Sequence, residues 1–412
     1  MAPASPAIVL GLGANGYGIV RSLAHAGVPA LGVFTRPEEF GRLSRYCESV
    51  RVPAEALVDG DLFVETLLRL AQRFATPPTV FATDDRHAVL LAHHRTALQG
   101  RVHFHTAPVD CIETVVDKAR MSHRCQEAGI LVPRTHVTGP GEDVARSVAG
   151  FPFPCVVKPA RSFDDAVPAG FKTYIAASPE ALLALYARHP GLLGASIWQE
   201  IVEGPDDAIF QFTTLVRADG DVRDFACVRK IHQYPPGFGI TSLGRTEANP
   251  AIVAPSHRLL AALGYRGLAS LEFKYQARNG RYYFIELNPR LPWYNGLFAD
   301  AGVNLAHLAY LDLLGIDPPP PAGQRDGVHW VSVKEDLGWF LRTRRAGRAG
   351  LWHWLRSLSR ARSFAWWTLA DPVPALRAGL HLLGQAFHRS TPPPPAGSRT
   401  VSAAFTPTAR GA

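Results

Sequence analysis

The chain has 412 residues, 47% hydrophobic and 19% charged, with a mean hydropathy of zero, which excludes a disordered polymer and allows two or three cores. Its formal charge of +8 favours anionic partners (nucleotide phosphates, acidic substrates, nucleic acid or a membrane surface) without choosing among them. Five scattered cysteines without a CxxC pair, a start that lacks a basic, apolar leader, and no run of roughly 18 apolar residues argue against a disulfide framework, secretion and a spanning helix. A cytoplasmic protein is expected.

Residues 7–115 alternate short apolar runs with helical patterns. Strands are expected at Ala7–Leu12, Ala30–Phe34 and Thr79–Ala82, and helices at Gly16–Ala26, Asp61–Phe74 and Asp85–Leu98. That alternation implies βαβ units around a parallel sheet. After Val116 the texture changes. A helix over 117–128 stops at Gly129, and PCVVKP (154–159) reads as a short buried strand. The polar loop Arg161–Lys172 precedes a strand at 173–177, a helix at 179–189 and the run Ser196–Val202. Ala208–Val216 and Val222–Lys230 read as a hairpin across Asp219-Gly220. A second hairpin joins Gly267–Tyr275 to Gly280–Asn288 after a helix at 251–263. The helix Val303–Leu314 ends before the run Pro318–Pro321, a domain boundary. Residues 321–388 interleave tryptophan with arginine, and the tail 389–412 has a disordered composition.

Gly11, Gly13 and Gly16 spell GxGxxG between a strand and a helix, the context of a dinucleotide loop. The second strand ends in Thr35-Arg36, where a ribose-binding acid belongs; this removes NAD and leaves NADP as the only dinucleotide. Nothing downstream resembles a hydride-transfer site. The glycines are therefore expected to serve a tight turn and close packing, with Gly13→Ala disturbing that packing.

The informative stretch is GLASLEFKYQARNGRYYFIELNPRL (267–291). Glu286 and Asn288 share a strand face at i, i+2. A three-residue loop, Arg278-Asn279-Gly280, makes directly opposed residues sum to 558, so Glu272 faces Glu286. Opposed carboxylates among Phe273, Tyr275, Tyr283 and Phe284 destabilise a sheet unless neutralised. Glu272, Glu286 and Asn288 suit a hard cation such as Mg²⁺, and Arg290 follows on the same face for a phosphoryl group or oxyanion. Lys158, within an apolar strand, requires an anion nearby. Lys118 opens a helix. In SIWQEIVEGPDD (196–207) main-chain groups suit adenine and a carboxylate suits ribose hydroxyls.

The order VDK (116–118), GILVPRT (129–135), FPFPCVVKP (151–159), WQEIVEG (198–204), LEF (271–273) and FIELNPRL (284–291) resembles the ATP-grasp superfamily, and within it the carboxylate–amine ligases, including bacterial D-aspartate ligases. The resemblance covers about residues 1–320. It implies an α/β and α+β chain: a Rossmann-like preceding domain (1–115), a two-lobed ATP-grasp fold (116–320, small lobe about 116–200, large lobe about 201–320), then a basic helical C-terminal extension (321–388). It further implies that Lys118, Lys158 and one of Arg229 and Lys230 meet the ATP phosphates. Glu200, Ile201 and Val202 would form the adenine hinge and Glu203 would bind ribose. Glu272, Glu286 and Asn288 would hold two Mg²⁺ ions, with Mn²⁺ as the alternative, and Arg290 with Lys158 would serve the transfer itself. Arg161–Lys172 takes the place of the phosphate-covering loop, with Asp164-Asp165 where glycines are usual.

The expected activity is ATP-dependent joining of a small carboxylate to an amine through an acyl phosphate, with no nucleic acid involved. Its rivals are an NADP-dependent oxidoreductase, a biotin-carboxylase-like carboxylation, and a non-catalytic membrane- or protein-binding module. An amphipathic helix over 347–364 is expected either to pack on the core or to meet an anionic membrane at the inner face.

Overall fold

The computed structural model describes residues 5–161, 163, 171, 173–347 and 350–388. Ala7–Leu10 (β1) is an unbroken buried apolar run, as a central parallel strand requires. It is followed by α1 (Ala14–Ala24), β2 (Ala30–Phe34), β3 (Glu48–Arg51), α2 (Gly60–Ala71), β4 (Thr79–Ala82), α3 (Asp85–His93) and α4 (Arg95–Leu98). The four strands form a parallel sheet in the order β3-β2-β1-β4. Two glycines make the β1–α1 turn: Gly11 has φ +88°, and a Cβ on Gly16 would lie 1.9 Å from the Gly11 carbonyl oxygen. Gly13 differs from expectation, since open space surrounds the position of its missing Cβ.

Two helices, α5 (Val109–Val116) and α6 (Lys118–Glu127), lead into an antiparallel sheet. It contains β5 (Thr135–Val137), β6 (Cys155–Pro159), β7 (Tyr174–Ala176) and β8 (Ser196–Glu200), with α7 (Val144–Ser147) and α8 (Pro179–Arg188) between them, in the order β5-β8-β6-β7. Its core closes on Trp198, fully buried and stacked on His136 at 4.1 Å.

A seven-stranded sheet forms the rest. Its elements in chain order are β9 (Ile209–Val216), β10 (Phe225–Tyr234), β11 (Ile240–Thr246), α9 (Pro250–Ala262), β12 (Gly267–Gln276), β13 (Arg281–Asn288), α10 (Gly296–Asp300), α11 (Leu305–Leu313), β14 (His329–Val331), α12 (Val333–Arg345), α13 (Leu351–Ser359), β15 (Ala361–Phe364) and α14 (Val373–His388). The strand order is β13-β12-β9-β10-β11-β14-β15. One apolar core joins this sheet to the first: Val9, Leu12 and Val20 pack with Leu215, Val228, Tyr294 and Trp330. Asn295 adds a polar lock by donating to the Asn15 carbonyl and side chain.

The segment after residue 321 is not purely helical, because β14 and β15 extend the large sheet. The helix expected over 347–364 is α13, which ends at Ser359. Ala361 and Ser363 are buried while Arg362 is exposed, so the period changes to two and a strand follows. Residues 348 and 349, the tail 389–412 and all but Arg161, Phe163 and Phe171 of the expected phosphate-covering loop lie outside the described residues.

Candidate functional site

The β12–β13 hairpin places Glu272 directly opposite Glu286, Leu271 opposite Leu287 and Ser270 opposite Asn288. The loop is one residue longer than expected, Ala277–Gly280, because Gln276 pairs with Arg281. A bulge between the Glu272–Glu286 and Phe273–Phe284 pairs absorbs the extra residue. Gly280 takes the left-handed conformation (φ +67°) that the loop requires.

The two carboxylates meet different neutralising groups. Glu272 is buried, and its Oε2 accepts from Gln211 Nε2 at 2.6 Å and lies 3.0 Å from Lys230 Nζ. Glu286 opens to the cleft and accepts from Asn288 Nδ2 at 3.0 Å. Desolvation alone would raise the Glu286 pKa. The Asn288 bond and the charges of Lys158, Lys230 and Lys118 outweigh that and hold it below the ordinary glutamate value. Reciprocally, desolvation lowers the Lys158 pKa against the pull of Glu286 and Glu272, and lowers that of Lys118 against Glu286. Lys158 Nζ also reaches Gln199 Oε1 at 3.4 Å. Lys118 begins α6 because Asp117 caps it, accepting from the Ala119 and Arg120 amides. Three lysines from three parts of the fold thus surround one open carboxylate.

A family model described as the carbamoyl-phosphate synthase L chain, ATP binding domain, matches residues 243–309, the stretch that holds this hairpin. D-aspartate ligase of Enterococcus faecium (strain Aus0004) is 25% identical over 323 residues, 74% of this chain and 76% of that protein. L-amino acid ligase from Bacillus licheniformis shares the fold with a TM-score of 0.58 at 16% identity, covering 80% of this chain and 79% of that one. The biotin carboxylase domain of Hydrogenobacter thermophilus 2-oxoglutarate carboxylase, crystallised with magnesium ADP and bicarbonate, does so with a TM-score of 0.61 at 14% identity, covering 78% and 73%. In sequence and fold these matches all point to the ATP-grasp ligases.

Around the hairpin the other expected residues divide. Arg290 lies past the end of β13, yet its Nη2 donates to Asn288 Oδ1 at 3.2 Å and its Nε lies 2.8 Å from Asp85 Oδ1. Asp85 is a partner that the sequence reading missed. Following Asp84, which caps α3, it looked like a plain first-turn acid. Burial raises its pKa against the lowering charge of Arg290. Gln211 was missed as well, although a lone amide in the apolar run IFQFTTLV was a usable signal. Lys230 faces the site and Arg229 does not. Arg229 donates to the Asp207 carbonyl and carboxylate (2.6 and 3.0 Å) and lies 3.6 Å from Glu247.

At the expected hinge, β8 stops at Glu200, whose amide donates to the Arg134 carbonyl and whose carboxylate accepts from the Arg134 amide. Ile201, Val202 and Glu203 follow outside the strand, with Val202 buried and Glu203 exposed.

The glycine loop has a different occupant from a dinucleotide. The buried Glu39 carboxylate accepts from the Leu12 amide (2.7 Å), the Thr35 amide (2.9 Å) and hydroxyl (3.0 Å), and the Arg36 amide (3.0 Å). Of these donors the Leu12 amide belongs to the glycine loop and the others to the end of β2, where a ribose-binding acid would stand, so the protein carries its own anion between the two.

The donor set suits Mg²⁺: two carboxylates and an amide oxygen are hard ligands, and such an ion takes its remaining positions from water and phosphate. Among the described residues no group of three His, Cys, Asp or Glu side chains gathers. Asn288 turns its nitrogen to Glu286 and its oxygen to Arg290; ligation needs the opposite amide orientation.

Proposed function

We propose that this ligase phosphorylates a small carboxylate at the β12–β13 hairpin and passes the acyl group to an amine. The observation that carries the reading is the opposed Glu272–Glu286 pair with Lys118, Lys158 and Lys230 around it. Three ammonium groups are more than two carboxylates need, and the surplus suits a polyphosphate.

In this reading Lys118, Lys158 and Lys230 bind and align the phosphates of ATP, Ile201 and Val202 offer main-chain groups to adenine, and Glu203 takes the ribose hydroxyls. Glu200 contributes through its carbonyl side only, since its amide is spent on Arg134. Glu272, Glu286 and Asn288 hold Mg²⁺, as two ions with Mn²⁺ as the alternative; when bound, the metal neutralises charge developing on the phosphates. A carboxylate oxygen of the substrate attacks the γ-phosphorus, the γ-phosphoryl bond to the bridging oxygen breaks, and ADP leaves. The amine nitrogen then attacks the acyl carbon, the bond to the phosphate oxygen breaks, and nitrogen gives up its extra proton. Arg290, held by Asp85 and Asn288, stabilises the oxyanion and the acyl phosphate. Closure of the β5–β8 sheet over the nucleotide excludes the water that would hydrolyse that intermediate.

The chain divides on this reading into a Rossmann-like domain (1–115), the ATP-grasp unit (116–320) and a C-terminal segment. The five cysteines are unpaired, in keeping with a cytoplasmic setting. A peripheral contact with an anionic bilayer is a second role for the C-terminal segment. Outward on α13 stand Leu351, Trp352 (82% exposed) and Leu355 beside Arg356, although Trp354 turns inward. No helix among the described residues is long and apolar enough to cross a membrane. Flotation with anionic liposomes at low salt tests the contact; intact protein that stays in the soluble fraction refutes it.

The test of the main reading is Glu286→Gln. Magnesium-dependent ADP release should fall by at least about 100-fold with the circular dichroism spectrum unchanged. Wild-type turnover in that variant overturns the assignment.

A further inference from the structure

We infer that Asp336, on α12, is a positioning residue for the nucleotide: it fixes the part of the β10–β11 hairpin that carries Lys230. The inference rests on the ATP site proposed above.

Strand β10 pairs with β9 only from Phe225 to Arg229. From Lys230 to Tyr234 its sole strand partner among the described residues is β11, and the ladder is irregular at Lys230–His232 and again at His232–Gln233. β14 backs β11 at Leu243–Arg245, but Gln233–Tyr234 and Ile240–Thr241 form a two-stranded end, and a ribbon with interrupted pairing needs support from a packed element. The α12 helix supplies it. Asp336 is fully buried, and its Oδ1 accepts from His232 Nδ1 at 2.8 Å and from Ser242 Oγ at 2.9 Å, one donor from each strand of the ribbon. Its Oδ2 accepts from Trp354 Nε1 at 2.8 Å, which ties α13 to the same carboxylate. The His232 ring stacks on Trp339 at 3.4 Å. Tyr234 lies against Gly338, where a Cβ would come within 2.7 Å of its ring, and under the Arg342 guanidinium at 5.0 Å.

The other contacts of the ribbon run to the nucleotide cleft. Lys230 Nζ meets Glu272, Arg229 holds Asp207, and Gln233 Nε2 and the Gly237 amide both donate to Asp206 Oδ1. Asp206 and Asp207 belong to the turn just after the hinge. The ribbon therefore links the phosphate end of the site to the ribose end, and Asp336 sets its height from behind.

The test is the split between KM values together with the MgATP affinity from calorimetry. Asp336→Asn places an amide nitrogen against a hydrogen-bond donor. It should raise the KM and Kd for ATP about tenfold, the factor carried by one hydrogen bond to a charged group. The KM for the carboxylate should stay within about twofold, and kcat at saturating ATP within about threefold. His232→Phe keeps the stack on Trp339 but loses the hydrogen bond, so it should shift ATP in the same direction and serves if Asp336→Asn fails to fold. A merely structural Asp336 would lower the melting temperature and the active fraction while leaving both KM values alone. That result, or equal rises in both KM values, overturns the inference. A wild-type protein that binds no MgATP overturns the ATP site itself, and the inference with it.

Discussion

Glu39 offers a stringent test of why the glycine loop is not a dinucleotide site. Its carboxylate accepts four hydrogen bonds in a buried setting, three of them from main-chain amides. In Glu39→Gln the three contacts to Oε1 can persist, but the amide nitrogen meets the Leu12 N–H and one donor faces another. The loss of one hydrogen bond to a charged group, about 1.5–3 kcal/mol, should lower the melting temperature by about 2–4 °C in a chain of this size. Glu39→Ala leaves all four donors unpaired and should cost about twice as much. It also opens the loop to a small anion: inorganic phosphate should recover part of the lost stability in Glu39→Ala and none in the wild type. Thermal unfolding followed by circular dichroism, with and without phosphate, reads both effects. Melting temperatures within about 1 °C of wild type in both variants refute the reasoning.

Gly16→Ala should be severely destabilising, by more than about 3 kcal/mol, because its Cβ would meet main chain at 1.9 Å. Gly13→Ala, with open space around it, should stay within about 1 kcal/mol of wild type in denaturant unfolding. NADPH should show no micromolar binding in calorimetry, since Glu39 holds the loop. Asp312 is held below the ordinary aspartate value by its hydrogen bond from His105, with burial opposing and Arg217 adding to the pull. A depressed carboxylate stabilises above its unfolded pKa and loses that contribution as pH falls. The stability gap between wild type and Asp312→Asn should therefore be full near neutrality and shrink below about pH 4 in urea titrations.

What the sequence made legible follows from periodicity. The strand alternation of 267–288 and the glycine at 280 were enough to set Glu272 against Glu286, because a face is fixed by a period of two. The bulge beyond that pair left no mark, so the loop came out one residue short while the carboxylate pairing was right. Lys230 and Arg229 are neighbours that must point to opposite faces; alternation shows that one enters the site, and only the ladder with β9 and β11 says which. Edge strand β3 (ESVR) was invisible because its side chains are exposed or half-buried and carry no apolar alternation. Asp336, Asp85 and Glu39 were illegible for a common reason. Each has a deciding partner on a distant strand or loop, and no spacing within the chain announces a contact across 104, 205 or 27 residues, although Glu39 also accepts from nearby Thr35 and Arg36.

The central claim is the chemistry at the carboxylate hairpin. A screen of amino acids and other small acids, paired with amines and read by ADP release, tests it most directly. The account predicts at least one acid–amine pair that releases ADP and phosphate in equal amounts with the C–N product, only with a divalent cation, and not in Glu286→Gln. A wild-type protein that neither binds MgATP nor releases ADP with any pair would contradict it.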